Sequence, residues 1–134
     1  MVKLFTIKNS YEFIEFLPGK NVFIGLRDSG DIEKVFCKTG KIDEIINSEI
    51  FLPTDMKLLA DEKLIVASNL NHQVKVFDLK KKTLLSKHSL SEIYQVICEK
   101  NEHEFIVKYV GDRNLYACDF SKKVMDESKI MELP

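Results

Sequence analysis

The sequence predicts an all-β fold made of antiparallel four-stranded repeats, and three observations support this prediction. Short runs rich in Val, Ile, Phe and Tyr, which suit a pleated and half-buried surface, recur about every ten residues. Turn-forming pairs such as Pro18-Gly19 and Thr39-Gly40 separate these runs. Similar segments also return 41 or 42 residues further along the chain. Together they indicate three copies of one β unit.

The repeat is visible in aligned apolar segments. Leu64-Ile65-Val66 lies 42 residues after Val22-Phe23-Ile24, and Phe105-Ile106-Val107 is the matching segment of the third copy. Ala117-Cys118-Asp119-Phe120 lies 41 residues after Val76-Phe77-Asp78-Leu79. We therefore expect one domain, residues 1–134, with copies over about 11–50, 52–90 and 91–134. Residues 2–8 predict an extra N-terminal strand that pairs with an open sheet edge.

Each copy contains four apolar runs, which we interpret as four strands. The segment Gln73 to Leu79 alternates polar and apolar residues, which predicts one wet and one buried face. Leu64 to Ala67 is apolar throughout, which predicts a strand covered on both faces. The predicted strands are 11–17, 21–27, 32–38 and 41–46; 56–60, 63–68, 73–79 and 83–88; and 94–99, 104–110, 114–120 and 123–131.

Two segments also fit a short helix. Ile42, Ile45, Ile46 and Ile50 have helical spacing within residues 41–50. Residues 89–100 begin with Ser89-Leu90-Ser91-Glu92, in which a serine could cap a helix. A helix at either place would leave the repeat intact.

The repeat resembles a β-propeller blade of the WD40-like or YVTN-like kind. The segment Leu64 to Ser68, followed by Val74 to Leu79 with its apolar-Asp-Leu ending, carries this resemblance. The chain has no Trp, so the resemblance concerns the architecture and no particular subfamily. It implies a WD40-like β-propeller fragment of three blades.

Three blades are too few to close a ring, because closed propellers have 4–8 blades. Two chains could pair as a homodimer that completes a six-bladed ring. A partner protein could instead cover an open arc of blades. The third alternative is a rearrangement of the strands into an antiparallel barrel or sandwich.

Composition excludes some classes of function. Lys and Arg total 20 and Asp and Glu total 21, so the excess of positive charge expected of a nucleic-acid binder is missing. No window approaches the length of apolar chain that spans a membrane, and no signal peptide is recognisable. The three widely spaced cysteines, Cys37, Cys98 and Cys118, indicate a reducing compartment, and we expect a cytoplasmic protein.

No motif for chemistry is present, so we expect no enzyme, no metal site and no cofactor. The histidines, His72, His88 and His103, and the cysteines have no metal-binding spacing. The glycines form no phosphate loop. Asp28 and Asp31 flank a turn, where carboxylates usually accept hydrogen bonds from nearby backbone amides. The run Lys80 to Lys82 is interpreted as a solvated turn.

We therefore predict a non-catalytic protein-binding module or scaffold. In WD40-like propellers, which the repeat resembles, one rim commonly binds partners. The turns between the second and third strands lie at that rim. These turns carry the candidate partner-binding residues Arg27, Asp28, Asp31, His72, Asp112 and Arg113. Arg is favoured at interfaces because its planar fork pairs with carboxylates. The alternative is a small immunity or inhibitor protein that neutralises a toxin or enzyme by covering its site.

Overall fold

A computed structural model describes residues 9–134, which form twelve β-strands and one short 3-10 turn, Ala60–Glu62. The predicted N-terminal strand 2–8 lies outside the described residues. The strands are β1 (Phe13–Phe16), β2 (Val22–Leu26), β3 (Asp31–Phe36), β4 (Ile42–Asn47), β5 (Asp55–Leu59), β6 (Lys63–Ser68), β7 (Gln73–Asp78), β8 (Thr83–Ser89), β9 (Tyr94–Glu99), β10 (Glu104–Tyr109), β11 (Asn114–Asp119) and β12 (Asp126–Glu132).

The strands form three four-stranded sheets, each a simple antiparallel meander. The first sheet has the order β1-β2-β3-β4, the second β5-β6-β7-β8 and the third β9-β10-β11-β12. Tight turns join consecutive strands because turn residues interrupt each apolar run. Each sheet therefore pairs strands that are close neighbours in the sequence.

The sheets lie side by side like propeller blades. Strand β5 lies against β1 on one side and β9 on the other, so the first strands of the three sheets are innermost. The hydrogen-bonded order keeps the sheets separate, and no closed barrel forms over residues 9–134. This confirms the predicted three-bladed fragment, while the alternative of a barrel or sandwich is not observed.

The core consists of two apolar clusters, one on each side of the second sheet. Ile24, Leu26 and Ile32 of the first sheet pack against Leu64 and Phe77 of the second. On the other side, Ile65 and Val76 of the second sheet share a cluster with residues of the third sheet, including Phe105, Val107 and Tyr109. Strand β6 is buried on both faces, as its continuous apolar run predicts.

Both segments that fit a short helix are largely strand instead, β4 in the first case and β9 in the second. The register of β3 and β4 explains the misleading spacing in the first segment. Ile32 pairs with Ile46 and Glu33 with Glu44, so Ile45 is an extra, bulged residue. A bulge breaks the period of two, so apolar residues need not alternate. The fourth strands β8 and β12 carry similar register shifts.

The outer edges of the second and third sheets are joined by hydrogen bonds. The Lys87 amide donates to the Lys123 carbonyl at 2.9 Å, and the Met125 amide donates to the Lys87 carbonyl at 3.0 Å. The buried Ser86 hydroxyl donates to the Lys122 carbonyl. The outer edges of the first and second sheets are linked differently, by an exposed Lys82–Asp43 ion pair of 3.0 Å.

No helix among residues 9–134 has the length and apolar character needed to cross a membrane.

Candidate protein-binding rim

One end of the fold, which we call the loop rim, gathers two kinds of loop. The turns between second and third strands are residues 27–30, 69–72 and 110–113, and the links between sheets are residues 48–54 and 90–93. Backbone hydrogen bonds tie the two kinds together. The Leu52 amide donates to the Asp28 carbonyl at 3.3 Å, and the Leu90 amide donates to the His72 carbonyl at 2.7 Å.

The first turn needs glycine at position 30. Gly30 has a φ of 95°, and a Cβ atom there would lie 2.8 Å from the Ile50 carbonyl oxygen. Its amide donates to the Arg27 carbonyl at 2.9 Å. The close approach places the first turn directly against the link between the first and second sheets.

Asparagine side chains fix the second turn. The Asn71 side-chain amide donates to the Phe51 carbonyl at 2.7 Å. The Asn69 side chain accepts from the Tyr94 amide at 3.0 Å and donates to the Tyr94 carbonyl at 3.3 Å. The turn of the second sheet is thereby anchored to both neighbouring links, which makes the rim a fixed surface.

Five of the six predicted partner-binding residues lie on the loop rim and Asp31 begins β3 directly beside it, but their side chains differ in availability. Asp28, His72 and Arg113 are exposed. Asp31 accepts from the Ser29 hydroxyl at 2.9 Å and from the Asn47 amide at 2.8 Å. The Asp31 carboxylate is therefore engaged in its own turn.

Asp112 is engaged in the same way. It accepts from the Tyr116 hydroxyl at 2.7 Å and from the Asn114 backbone amide at 2.8 Å. The bond from Tyr116, and then the bond from the Asn114 amide, lower the pKa of Asp112. This carboxylate stays charged at neutral pH while it holds the third turn in shape.

Arg27 is half-buried, and its Nε atom has no hydrogen-bond partner among residues 9–134. Asn114, beside the third turn, has a buried side-chain oxygen that also lacks a partner within this range. A partner from outside reaches these two atoms only if their side chains move, because both atoms are covered by the fold.

The loop rim also carries exposed apolar residues that were not predicted from the sequence. They are exposed by 65% at Phe51, 44% at Leu52, 66% at Leu70, 54% at Ile93 and 59% at Val110. Exposure of Leu70 could have been predicted from the sequence, because it is a large apolar residue within the turn Asn69-Leu70-Asn71. Phe51 and Ile93 lie in links that are hard to distinguish from the strands beside them.

The opposite end of the fold is rich in charge. Its turns expose Lys38, Lys81, Glu102 and Lys122. Lys20 donates to Glu62 at 3.0 Å across the first and second sheets, and this bond is the main cause that lowers the pKa of Glu62. The turns at this end therefore expose mostly charged side chains, together with Val124, whereas the loop rim combines apolar and charged ones.

Comparisons with solved structures place this geometry among β-propellers. The chain has a TM-score of 0.72 with the Myceliophteria thermophila Cps50 (Swd1) β-propeller domain, at 14% identity over 96% of this chain and 42% of that one. It has a TM-score of 0.63 with the computationally designed Ika4 protein, at 14% identity over 98% of this chain and 79% of that one.

A third similar structure is the N-terminal domain of Nup159, with a TM-score of 0.58 and 13% identity. The match covers 91% of this chain but 30% of the Nup159 chain. This chain therefore spans less than half of the Swd1 and Nup159 chains that it resembles. No protein-family model matches the chain, and no curated protein matches it. The similarity establishes a β-propeller type of fold.

Proposed function

We propose that the chain is a protein-binding module or scaffold without catalytic activity of its own, and that its partner covers the loop rim. The observation that carries this proposal is the set of exposed apolar side chains at one end of the fold. Exposed apolar patches with polar surroundings mark protein interaction sites in soluble proteins.

The apolar side chains are carried on fixed backbone, which favours tight binding. The Phe51 carbonyl accepts from Asn71, next to Leu70, and the Val110 amide donates to the Ile93 carbonyl at 2.9 Å. Phe51 with Leu70, and Ile93 with Val110, thus form two tethered pairs. Little backbone freedom is lost when a partner binds such a surface, so the entropy cost of binding offsets less of the interaction energy.

The charged groups of the loop rim define the partner further. Arg27 and Arg113 favour carboxylates, because a guanidinium makes paired hydrogen bonds to them. We therefore propose a partner surface that presents apolar side chains flanked by Asp or Glu.

A capture experiment with matched variants tests the loop rim. The wild-type chain, a Phe51→Ser/Leu70→Ser variant and a Leu84→Ser control are used as baits in extract of the native host. Leu84 is exposed by 41% but lies on the outer strand β8. We expect a protein that the wild type and the control retain and that the rim variant loses. Equal retention by all three baits would contradict the proposal.

A charge-reversal variant, Arg27→Glu with Arg113→Glu, tests the carboxylate part separately. We expect weaker retention and a smaller dependence of retention on salt than in the wild type. The captured protein also decides the alternative function. A toxin or enzyme that loses its activity in the complex would support the immunity or inhibitor hypothesis.

We propose a second arrangement, the homodimer that completes a six-bladed ring, because the first and third sheets both expose apolar residues. In strand β1, Phe13 packs towards the second sheet, while Ile14 and Phe16 alternate with it and are exposed by 46% and 64%. In the third sheet, Ile130 is exposed by 42%. A second copy could bury both regions by pairing its third sheet with the first.

Light scattering tests the ring directly. A ring has about twice the mass of the 15.5 kDa chain, and Phe16→Glu is expected to return it to the single-chain mass. A single-chain mass for the wild type at high concentration would exclude the homodimer. The rim proposal would survive that result, because it needs one chain alone.

We also propose a reducing, cytoplasmic location, which the free thiols of Cys37, Cys98 and Cys118 favour. Fluorescent tagging in the native host tests this location.

A further inference from the structure

A cluster of three metal-binding side-chain types lies between the second and third sheets. His88 is on β8, Cys118 on β11 and Glu127 on β12. One ligand atom from each residue lies within 4.8 Å of the other two. The cluster therefore joins one strand of the second sheet to two strands of the third.

The contacts within the cluster centre on one carboxylate oxygen. Glu127 Oε1 lies 3.1 Å from His88 Nε2 and 3.8 Å from Cys118 Sγ. The Tyr109 hydroxyl donates a hydrogen bond to the same oxygen. Cys118 is fully buried, whereas the His88 and Glu127 side chains are 19% and 20% exposed. An ion could therefore reach the cluster from solvent and contact the thiol behind it.

We propose that His88, Cys118 and Glu127 form a zinc-binding site that joins the second and third sheets. Thiolate and imidazole are ligands that select Zn²⁺, and a carboxylate oxygen is the third type of ligand that zinc accepts. Mg²⁺ and Ca²⁺ are disfavoured because they prefer oxygen ligands throughout.

The distances are compatible with a tetrahedral ion. With metal–ligand bonds of about 2.0–2.3 Å, neighbouring ligand atoms are about 3.3–3.7 Å apart. The two contacts to Glu127 lie on either side of this range, and the His88 and Cys118 ligand atoms lie within 4.8 Å of each other, so side-chain movements bring all three onto one ion. The fourth position is left for water, which reaches the cluster past the partly exposed His88 and Glu127 side chains.

Charge and hydrogen bonding support the same assignment. When zinc binds, the Cys118 thiol releases its proton to solvent and becomes a thiolate. Thiolate and carboxylate then balance the two positive charges of the ion, with His88 neutral. Tyr109 supplies the outer hydrogen bond that orients the Glu127 ligand.

The competing explanation is a hydrogen-bonded network with no ion, in which Glu127 simply accepts from its three neighbours. The two explanations differ in what they predict for an added metal. A network gains nothing from zinc, whereas a site between two sheets gains stability by mass action.

Titration of the metal-free chain with Co²⁺ is the decisive experiment. Cobalt replaces zinc in such sites and gives a thiolate charge-transfer band and visible bands of a tetrahedral ion. We expect both signals in the wild type, their loss when Zn²⁺ is added, and a rise in melting temperature with Zn²⁺. Absence of these signals would overturn the proposal in favour of the network.

Matched variants identify the ligands. Cys118→Ser should abolish the charge-transfer band, and His88→Gln should weaken cobalt binding by at least about tenfold. The controls are Cys98→Ser and His103→Gln, which change exposed residues outside the cluster and should bind as the wild type does. Circular dichroism checks that each variant is folded. A band that persists in Cys118→Ser, or disappears in Cys98→Ser, would overturn the assignment.

Discussion

Gly25 in strand β2 is covered by the ring of Tyr11. A Cβ atom at Gly25 would lie 2.5 Å from the Tyr11 ring, so no larger residue fits without moving it. The Tyr11 hydroxyl donates to Glu33 at 2.7 Å, and Asn9 donates to the same carboxylate oxygen at 2.8 Å. Burial and the bond to Glu33 raise the pKa of Tyr11 to about 12. Because Gly25 has no side chain, the Tyr11 ring can lie over it, and its hydroxyl joins the polar network around Glu33.

Gly25→Ala is expected to destabilise the protein by about 1–3 kcal/mol, because the ring must leave Glu33 partly unpaired. Urea denaturation measures the change. In a Tyr11→Ala background the same substitution should cost much less, because the ring is gone. Equal costs in the two backgrounds would show that Tyr11 does not cause the constraint.

Asp55, at the start of strand β5, is a half-buried carboxylate. Burial raises its pKa above the usual value and outweighs the attraction of Lys57. A raised pKa in the folded state means that this group favours folding at low pH. That contribution is lost as the pH rises from the unfolded pKa through the raised, folded value.

Asp55→Asn should therefore stabilise the protein at neutral pH. The amide oxygen can still accept from the Met56 backbone amide, which now donates to Asp55 at 2.9 Å. The gain should vanish below about pH 3.5, where the carboxyl is protonated in both states. Denaturation at a series of pH values measures this, and a gain that is constant with pH would contradict the assigned cause.

At the scale of elements, the fourth strand of every sheet carries a register shift, and β9 of the third sheet carries another. The twelve strands could be predicted because turn residues end every apolar run. The bulges could not, because they depend on which residue of a neighbouring strand lies opposite. Because Ile45 is the bulged residue, the isoleucines of β4 have a spacing that resembles a helix. The candidate zinc ligands show the same limit, because only the tertiary packing brings three strands together.

The hydrogen bond from Ser86 tests how the outer edges are held together. Ser86→Ala leaves the Lys122 carbonyl without this donor and should cost about 1–2 kcal/mol. We also expect faster hydrogen exchange at the Lys87 and Met125 amides, which join the same edges. Ser89→Ala, an exposed change in the same strand, should alter neither quantity. Unchanged exchange in Ser86→Ala would show that this edge does not depend on the hydroxyl.

At the scale of the whole molecule, the two apolar clusters make the second sheet the centre of stability. The sequence predicts this sheet well, because its second strand is apolar throughout. It does not predict the exposed apolar side chains of the loop rim, since Phe51 and Ile93 lie in links whose exposure depends on how the sheets pack. The charged residues predicted for the loop rim lie on it or directly beside it, but Asp31 and Asp112 serve their own turns.

Phe77→Ala and Phe105→Ala test the two clusters separately. Each ring is buried in a different cluster, and its loss should cost about 3–5 kcal/mol. We expect each variant to unfold in one transition, because each end sheet depends on the second sheet for its core. Leu84→Ala is the exposed control and should change stability little. A two-step transition would show that one end sheet folds without its neighbour.

The local meander also has a consequence for synthesis on the ribosome. All strands of the first sheet, 13–47, emerge before the second sheet that covers Ile24 and Leu26. At about 5–20 residues per second, the matching 42 residues follow about 2–8 seconds later. During that interval the nascent chain carries an uncovered apolar face. Chaperones that bind such faces are therefore expected to meet this protein early, before its second repeat is complete.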